Sequence, residues 1–460
     1  MKLTASPKAG GTGVHRVISA AETWSRIAPV LPAIGVTRMA AIHGLDRIGI
    51  PVYSAIMPRS QDLVSVYNGK GVTPLDAKVG AAMEAIERFA GWSSRRPDVV
   101  GSYQDLSKTR PIVHPRDLVI DLAEDYADDV PIPWAEGFDL IGESSILVPF
   151  AASAYYQDTG QYGTPCYALT STNGLASGNT IEEAICHALC ELIERDAVTM
   201  AELLSRGLPK LLRTSYPELA TGQPGDDLDA FPTISLDSLE GTAARLLDRY
   251  LAAGLRPVIR DVTSDNGIAT IACTITDDQH PDFSAAHTGA GTHPDAEIAL
   301  LRALTEAAQS RVSDIQGLRE DIAMAGETVP AAAKHAQRVA KIDPSGWYHR
   351  ESEHPISFGN VGASRHSDVV EDIEFMLSRL AGTGLDRAIV VDLSPGLIPA
   401  SVVRVLVPGL ETWSALKGRT GMRAESAIRA AVSERRTAAA TNENARRLGD
   451  VLGRLSGTQS

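Results

Sequence analysis

Three glutamates, Glu183, Glu191 and Glu194, lie in the stretch NGLASGNTIEEAICHALCELIERDAV at 173–198. On a helix they fall at about 0°, 80° and 20°, one narrow stripe that also carries His187 and Cys190. Ile181, Ala184, Ile185, Ala188, Leu189, Leu192 and Ile193 cover most of the remaining surface. Like charges stacked on a mostly apolar helix repel one another and resist burial, so a positive partner is required. A second copy of the pattern stands upstream: EAIERFA at 84–90 echoes ELIERDA at 191–197. Residues three apart share a helix face, so Glu84 and Glu87 can hold a cation between them. Two facing helices would gather Glu84, Glu87, Glu183, Glu191 and Glu194, hard oxygen ligands of the kind that hold Mg²⁺ together with phosphate oxygens. The competing reading of each Glu-x-x-Glu-Arg is a pair of surface salt bridges. A third helix, EIALLRALTEAAQSR at 297–311, places Arg302, Glu306 and Gln309 on one side and Arg311 on another. An arginine beside carboxylates suits a triphosphate, and suits an internal salt bridge equally well.

Other chemistries fail on spacing. His-Glu-x-x-His does not occur, no Glu-x-x-His lies on an expected helix, and no Gly-x-Gly-x-x-Gly is present. YNGKGVT at 67–73 lacks the first glycine and the Ser/Thr of a phosphate-binding loop. Lys70 and its flanking glycines could still meet an anion, or could simply form a hairpin turn.

The elements that must position these groups follow from periodicity. Helices are expected at 20–31, 74–93, 180–204, 239–254, 294–316 and 367–382, with a polar helical tail at 423–455. TRMAAIHGL, GIPVYSAIMP and LVSVYNGKG read as strands, PVIRDVTSDNGIATIACTI as a hairpin turning at Asp-Asn-Gly, and AIVVDL and VVRVLVPGL as late strands. Strands and helices that do not strictly alternate point to an α+β fold. Residues 1–13 read as a flexible tail, 14–415 as the main unit with candidate insertions near 101–160 and 214–233, and 416–460 as a helical extension.

With 460 residues, 44% of them hydrophobic, the chain can build a large core, and its net charge of −14 argues against nucleic acid. Four cysteines without a Cys-x-x-Cys make no disulfide framework, and Cys186 and Cys190 read as small buried side chains. No signal-peptide core or membrane-length apolar run occurs, so a cytoplasmic protein is expected.

The segments NGKG, AAMEAIER, TNGLASGNTIEEAICHALCELIERD, ALLRALTEAAQSR and VVRVLVPGLE, in that order, resemble the YcaO family. The resemblance spans about 12–415 and implies a YcaO-like fold with an ATP site between acidic helices and mixed or antiparallel sheets. It further implies ATP and Mg²⁺ as cofactors and activation of a peptide backbone amide by phosphorylation of its oxygen. Carried over by motif, Glu84, Glu87, Glu183, Glu191 and Glu194 would hold Mg²⁺ or its waters, with Glu87, Glu191 and Glu194 central to catalysis. Lys70, Asn179, Arg195 and Arg302 or Arg311 would meet the nucleotide. A basic residue and a hydroxyl seven positions later near the N-terminus match Arg16 and Thr23. Gly80 with Ala81, and Ala176, replace serines that are common in the family, which removes a hydroxyl ligand.

Within the family, GVHRVISAAETWSRIAPVLPAIGVTRMAAIHGLDRIGIPV resembles the branch encoded beside TfuA, which makes peptide thioamides. The ending GRLSGTQS, with Pro408 the last proline, differs from the Pro-rich tail of the azoline-forming branch. The implied partners are a peptide substrate, a TfuA-like sulfur-delivery protein and a separate leader-peptide recognition protein, with a homodimer left open. Macroamidine or azoline formation and a non-catalytic accessory role are the alternatives.

Overall fold

Strands carrying glycine where a helix lies across them recur three times in this chain, and the recurrence organises the fold. The computed structural model describes residues 1–10, 15–58, 64–92, 96–118, 126–153, 171–217, 231–277, 286–317, 349–411 and 421–437. Most of the expected insertion at 214–233, Cys166 and the helical extension past residue 437 lie outside these residues.

The helices are α1 (Ala20–Ile27), α2 (Pro74–Trp92), α3 (Tyr103–Leu106), α4 (Phe150–Ser153), α5 (Ile181–Glu202), α6 (Leu208–Ser215), α7 (Gly241–Ala252), α8 (Ala296–Gln316), α9 (Val369–Gly382) and α10 (422–437). The strands are β1 (Arg38–Ala41), β2 (Val52–Ile56), β3 (Val66–Lys70), β4 (Val99–Gly101), β5 (Ile132–Asp139), β6 (Ser144–Pro149), β7 (Leu175–Gly178), β8 (Leu255–Asp261), β9 (Thr270–Asp277), β10 (His287–Thr292), β11 (Ile389–Asp392) and β12 (Ser401–Leu406). They form three antiparallel sheets: β1-β2-β3, β10-β9-β8, and β4-β5-β11-β12-β7 with β6 on β5. The α+β expectation is met, and β8 and β9 form the expected hairpin.

Each acidic or cationic helix packs on its own sheet and on the next. Helix α2 covers β2 and β3 and reaches β7, α5 covers β7 and β12 and reaches β10, and α8 covers β9 and β10 and reaches β3. The close approaches need glycine. A Cβ on Gly69 of β3 would lie 2.0 Å from the Ala81 nitrogen of α2, one on Gly178 2.4 Å from the Ala184 nitrogen of α5, and one on Gly289 2.3 Å from the Ala307 nitrogen of α8. Gly69 and Lys70 are therefore strand residues under a helix, and the hairpin-turn reading of NGKG is replaced by β3. The apolar faces these helices bury make separate clusters. Ile86 and Tyr67 join one, Ile185, Leu189 and Val403 a second, and Leu300, Leu304 and Ile271 a third.

Residues 1–10, expected as a flexible tail, are instead pinned. The Thr4 N–H and hydroxyl donate to Glu182 at 2.9 and 2.8 Å, the Ser6 N–H donates to Asp368 at 2.9 Å, and the Lys8 ammonium lies 2.6 Å from Asp372. Glycine content suggested mobility, but the acceptors that hold this arm stand 178 and 362 residues away in sequence. Among the described residues no helix is long and apolar enough to cross a membrane.

Candidate nucleotide and metal site

Helices α2, α5 and α8 bring their polar stripes together. On α2, Glu87 is 5% exposed and accepts the Ser177 N–H of β7 at 3.1 Å, while Glu84 pairs with Arg88 at 2.9 Å. Burial, then Glu84 and Glu191, push the Glu87 carboxyl well above the usual range. On α5, Glu194 is 3% exposed and its Oε2 is a buried atom with no hydrogen-bond partner. Burial and the Glu306 charge raise its pKa, against the pull of Arg302, Arg195 and Lys70. Burial carries Glu191 to about 7, with Arg195 and Arg302 opposing and Glu194 and Glu84 adding to the rise. The stripe read from the sequence is real, and it is electrostatically unsatisfied.

The cations stand opposite. Lys70 of β3 forms an ion pair with Glu306 of α8. Burial pushes the Glu306 carboxyl up, but Lys70 and Arg195 outweigh it and hold it below the usual carboxylate range. Burial works against the charge of Arg195 and Arg302, yet the surrounding glutamates outweigh it and strengthen both cations. Glu306 is a site residue that the sequence reading kept only as a salt-bridge partner of Arg302. Its actual partner is 236 residues away.

At the mouth of α5, Thr180 caps the helix, and Glu183 accepts from the Asn179 N–H at 2.7 Å, the Asn179 side-chain amide at 2.9 Å and the Val17 N–H. Arg16 approaches the same carboxylate at 3.9 Å. Glu183 thus ties the N-terminal arm to the helix mouth, with one lone pair left over, on Oε1. Thr23 is buried in α1, and its hydroxyl donates to the Ser19 carbonyl at 3.1 Å.

Arg311, the alternative to Arg302 for phosphate contact, is placed elsewhere. Its guanidinium is held by Asp46 at 3.0 Å and Asp277 at 3.3 Å. It follows Arg302 by nine residues, which turns it to the opposite side of α8. A residue missed in the sequence is Arg404, 2% exposed in the centre of β12. It donates twice to the Ser171 carbonyl at 3.1 Å and its Nε has no partner. Burial pulls its pKa down to about 10, and the Glu191 and Glu87 charges oppose the fall. The signal was a lone arginine inside the apolar run VVRVLV, which needs a buried counter-charge.

Cys186, His293 and Asp372 also converge, their ligand atoms within 4.8 Å of one another. Their hydrogen bonds speak against a metal there. His293 Nδ1 accepts the Asp295 N–H at 2.9 Å, which leaves Nε2 protonated, and Lys8 already neutralises Asp372.

Residues 68–411 match the profile of the YcaO cyclodehydratase family, described as binding ATP and Mg²⁺. The chain belongs to the YcaO family. It is 34% identical over 414 residues to an uncharacterized protein of Methanothermobacter thermautotrophicus, covering 90% of this chain and 99% of that one. It is 33% identical over 433 residues to an uncharacterized protein in the tfuA 3′ region of Rhizobium leguminosarum bv. trifolii, covering 92% and 96%. Among solved structures, it is similar to a heterocyclase in complex with substrate and cofactor (TM-score 0.69, 21% identity, 90% of this chain and 54% of that one). It is also similar to a YcaO protein of Methanopyrus kandleri bound with AMPPCP and Mg²⁺ (TM-score 0.63, 23% identity, 90% and 98%). These two likenesses bear on the fold, which is that of YcaO proteins. Membership places the chain among ATP- and Mg²⁺-dependent enzymes of cyclodehydratase type that modify peptide backbones.

The residues fit such a complex. A buried, unpartnered Glu194 oxygen and carboxyls driven up by burial and by one another form a site whose acidic side is short of cations, with Lys70, Arg195 and Arg302 beside it.

Proposed function

We propose that this YcaO protein directs ATP-dependent activation of a peptide backbone amide toward thioamide formation. The observation that carries the activation half is the unpaired Glu194 oxygen among Glu84, Glu87, Glu191 and Glu306. ATP with Mg²⁺ would supply a phosphoryl group for the amide oxygen, turning a poor leaving group into phosphate. Glu87, Glu191, Glu194 and Glu306 would hold the metal or its waters, with Glu84 and Glu183 at the edges. Arg16, Lys70, Arg195 and Arg302 would neutralise phosphate charge, and the Asn179 turn presents the α5 N-terminus to it. The C–O bond breaks as phosphate departs, a C–S bond forms from hydrosulfide, and the hydrosulfide proton leaves with the phosphate. Catalysis of this kind is mostly positioning and charge stabilisation.

The choice of sulfur is supported by the relative encoded in a tfuA 3′ region and by the N-terminal stretch similar to that branch. A TfuA-like protein is the expected partner for sulfur delivery. The test combines the protein, ATP, Mg²⁺, sulfide and peptides encoded nearby, with and without the TfuA-like partner, read by mass spectrometry. Replacing oxygen by sulfur adds about 16 Da, whereas azoline or macroamidine formation removes about 18 Da as water. A loss of water unaffected by sulfide would overturn thioamidation and leave the ATP site standing.

A further inference from the structure

The N-terminal arm delivers Arg16 to the mouth of α5, and one buried ion pair fixes how it does so. Around Pro7, which has no N–H to lose, the arm pairs with the start of α9. The Lys8 N–H donates to the Ser367 carbonyl at 2.9 Å, and the Val369 N–H to the Ser6 carbonyl at 3.0 Å. The next residue, Ala9, donates its N–H to the Arg16 carbonyl at 2.7 Å. Arg16 and Val17 are thereby set against Glu183, while Thr4 holds the neighbouring Glu182. The arm thus leaves the first turn of α5, crosses to α9 and returns to α5, with Leu3 and Val17 packed on the apolar cluster the two helices share.

Lys8 stands at the α9 end of that path. Its side chain is 9% exposed, and its ammonium lies 2.6 Å from Asp372 Oδ2 and donates to the His366 carbonyl at 3.0 Å. Asp372 is 0% exposed, and His366 Nδ1 at 2.9 Å and His293 Nε2 at 3.5 Å also face it. Taking an ammonium and a carboxylate out of water carries a desolvation cost that a surface pair escapes, and the best-attested use of such a pair is to fix a register. Here the register is that of the arm on α9. A slip of one residue would turn Pro7 or Ala9 toward Asp372, and neither carries a charge. The same slip would draw Arg16 off Glu183, because Ala9, which holds the Arg16 carbonyl, directly follows Lys8.

We propose that Lys8 is a positioning residue for the nucleotide: its ion pair with Asp372 sets the register of the arm, and through it the place of Arg16 at the phosphates. This inference rests on the ATP and Mg²⁺ site proposed above and adds to it a residue that acts only through Arg16.

The lock is read without nucleotide by amide exchange, and its consequence by calorimetric titration with Mg²⁺–ATP. Lys8→Met keeps the stem of the side chain and loses the charge. Its Val17 N–H should exchange about tenfold faster, as when a hydrogen bond to a carboxylate opens. Its Mg²⁺–ATP affinity should fall by about three- to tenfold. Lys8→Arg retains the charge and should stay near wild type in both readings. In an Arg16→Ala background Lys8→Met should cost no further affinity, since the lock acts through Arg16. Unchanged Val17 exchange or unchanged affinity in Lys8→Met, an equal loss in Lys8→Arg, or a loss that persists without Arg16 would each overturn the proposal. Should Lys8→Met not fold, adding Asp372→Asn removes the stranded carboxylate, and failure of that double variant to fold would also overturn it. A wild type that binds no Mg²⁺–ATP, or an Arg16→Ala variant that binds it normally, would remove the functional reading beneath. That failure is told apart from a failed lock, because Val17 exchange needs no ligand.

Discussion

Glu191 shows how one residue links burial, charge and binding. Its pKa of about 7, against an ordinary value of 4.5, means that the folded protein grips this proton more tightly than the unfolded chain does. The associated stability is fully present below pH 4.5 and is lost as pH rises through about 7. Glu87 and Glu194 shift in the same direction. A divalent cation competes for the same lone pairs, so its binding must expel protons below that range. The nucleotide-free protein should therefore lose thermal stability between about pH 5 and 7.5, and Mg²⁺–ATP should bind more tightly over the same span. Melting curves across that range, with and without Mg²⁺–ATP, check both slopes, and flat affinity would mean that these carboxylates do not meet the metal. Helical spacing made this stripe legible from residues 183–194 alone. Spacing could not reveal Glu306 facing Lys70 or the charges of Glu87 and Glu191 acting on Arg404, because those relations arise only when separate elements meet. The placement of Arg311 was hidden for the same reason, its partners Asp46 and Asp277 being supplied by other elements.

At the scale of elements, the fold depends on strands that let helices come close. Gly178 ends β7 directly under the first turn of α5, and a Cβ there would sit 2.4 Å from the Ala184 nitrogen and 2.7 Å from the Glu183 Cβ. Backbone cannot yield as a flexible side chain can, so Gly178→Ala should push α5 outward. A cost of about 1–3 kcal/mol is expected from such overpacking, with weaker Mg²⁺–ATP binding because Glu183, Glu191 and Glu194 move together. Gly382→Ala, at a helix end with nothing within 4 Å, is the control and should stay within about 0.5 kcal/mol. Denaturant titration of the two variants decides the matter, and equal stabilities would show that the strand-to-helix distance is not fixed by glycine.

A second element-scale prediction concerns α10. Arg423 holds Asp196, 0% exposed on α5, at 3.1 Å, and Glu411 accepts the backbone N–H groups of Gly421 and Ala424 at 2.8 and 2.9 Å. Arg423→Ala would leave a buried carboxylate unpaired, at about 3 kcal/mol, and adding Asp196→Asn should return much of that. Thermal unfolding of the single and double variants reads the difference. The helices and most strands were legible from sequence, since 74–92 and 296–316 carry recurring buried apolar positions and 181–202 is apolar outside its acidic stripe. The ordering of the N-terminal arm was not, because short polar segments carry no period and are held only by distant acceptors such as Glu182 and Asp368.

Among the described residues of the whole molecule, three sheets are linked by helices α2, α5 and α8, one packed on each. A ligand seated at the proposed site would bridge α2, α5 and α8, and so would report on all three packing interfaces at once. Net charge matters at this scale too. A chain of −14 with glutamates lining the proposed site would repel ATP alone, whereas Mg²⁺ held there would reverse the local sign and leave Lys70, Arg195 and Arg302 to complete the neutralisation. Binding to the folded state alone stabilises it by about 2.7 kcal/mol at a hundredfold excess over Kd. ATP should therefore raise the melting temperature only in the presence of Mg²⁺, and Glu191→Ala or Glu87→Ala should abolish the rise while leaving the ligand-free protein folded. Removing Glu191 from a self-repelling cluster relieves strain, so Glu191→Ala should melt no lower than wild type without ligand, whereas Glu87→Ala also strands the buried Ser177 N–H and should melt somewhat lower. If they unfolded instead, the two Glu-x-x-Glu-Arg helices would be stabilising ion pairs and not a metal site. If ATP raised the melting temperature equally without Mg²⁺, the cations alone would bind it and the acidic stripe would need another explanation.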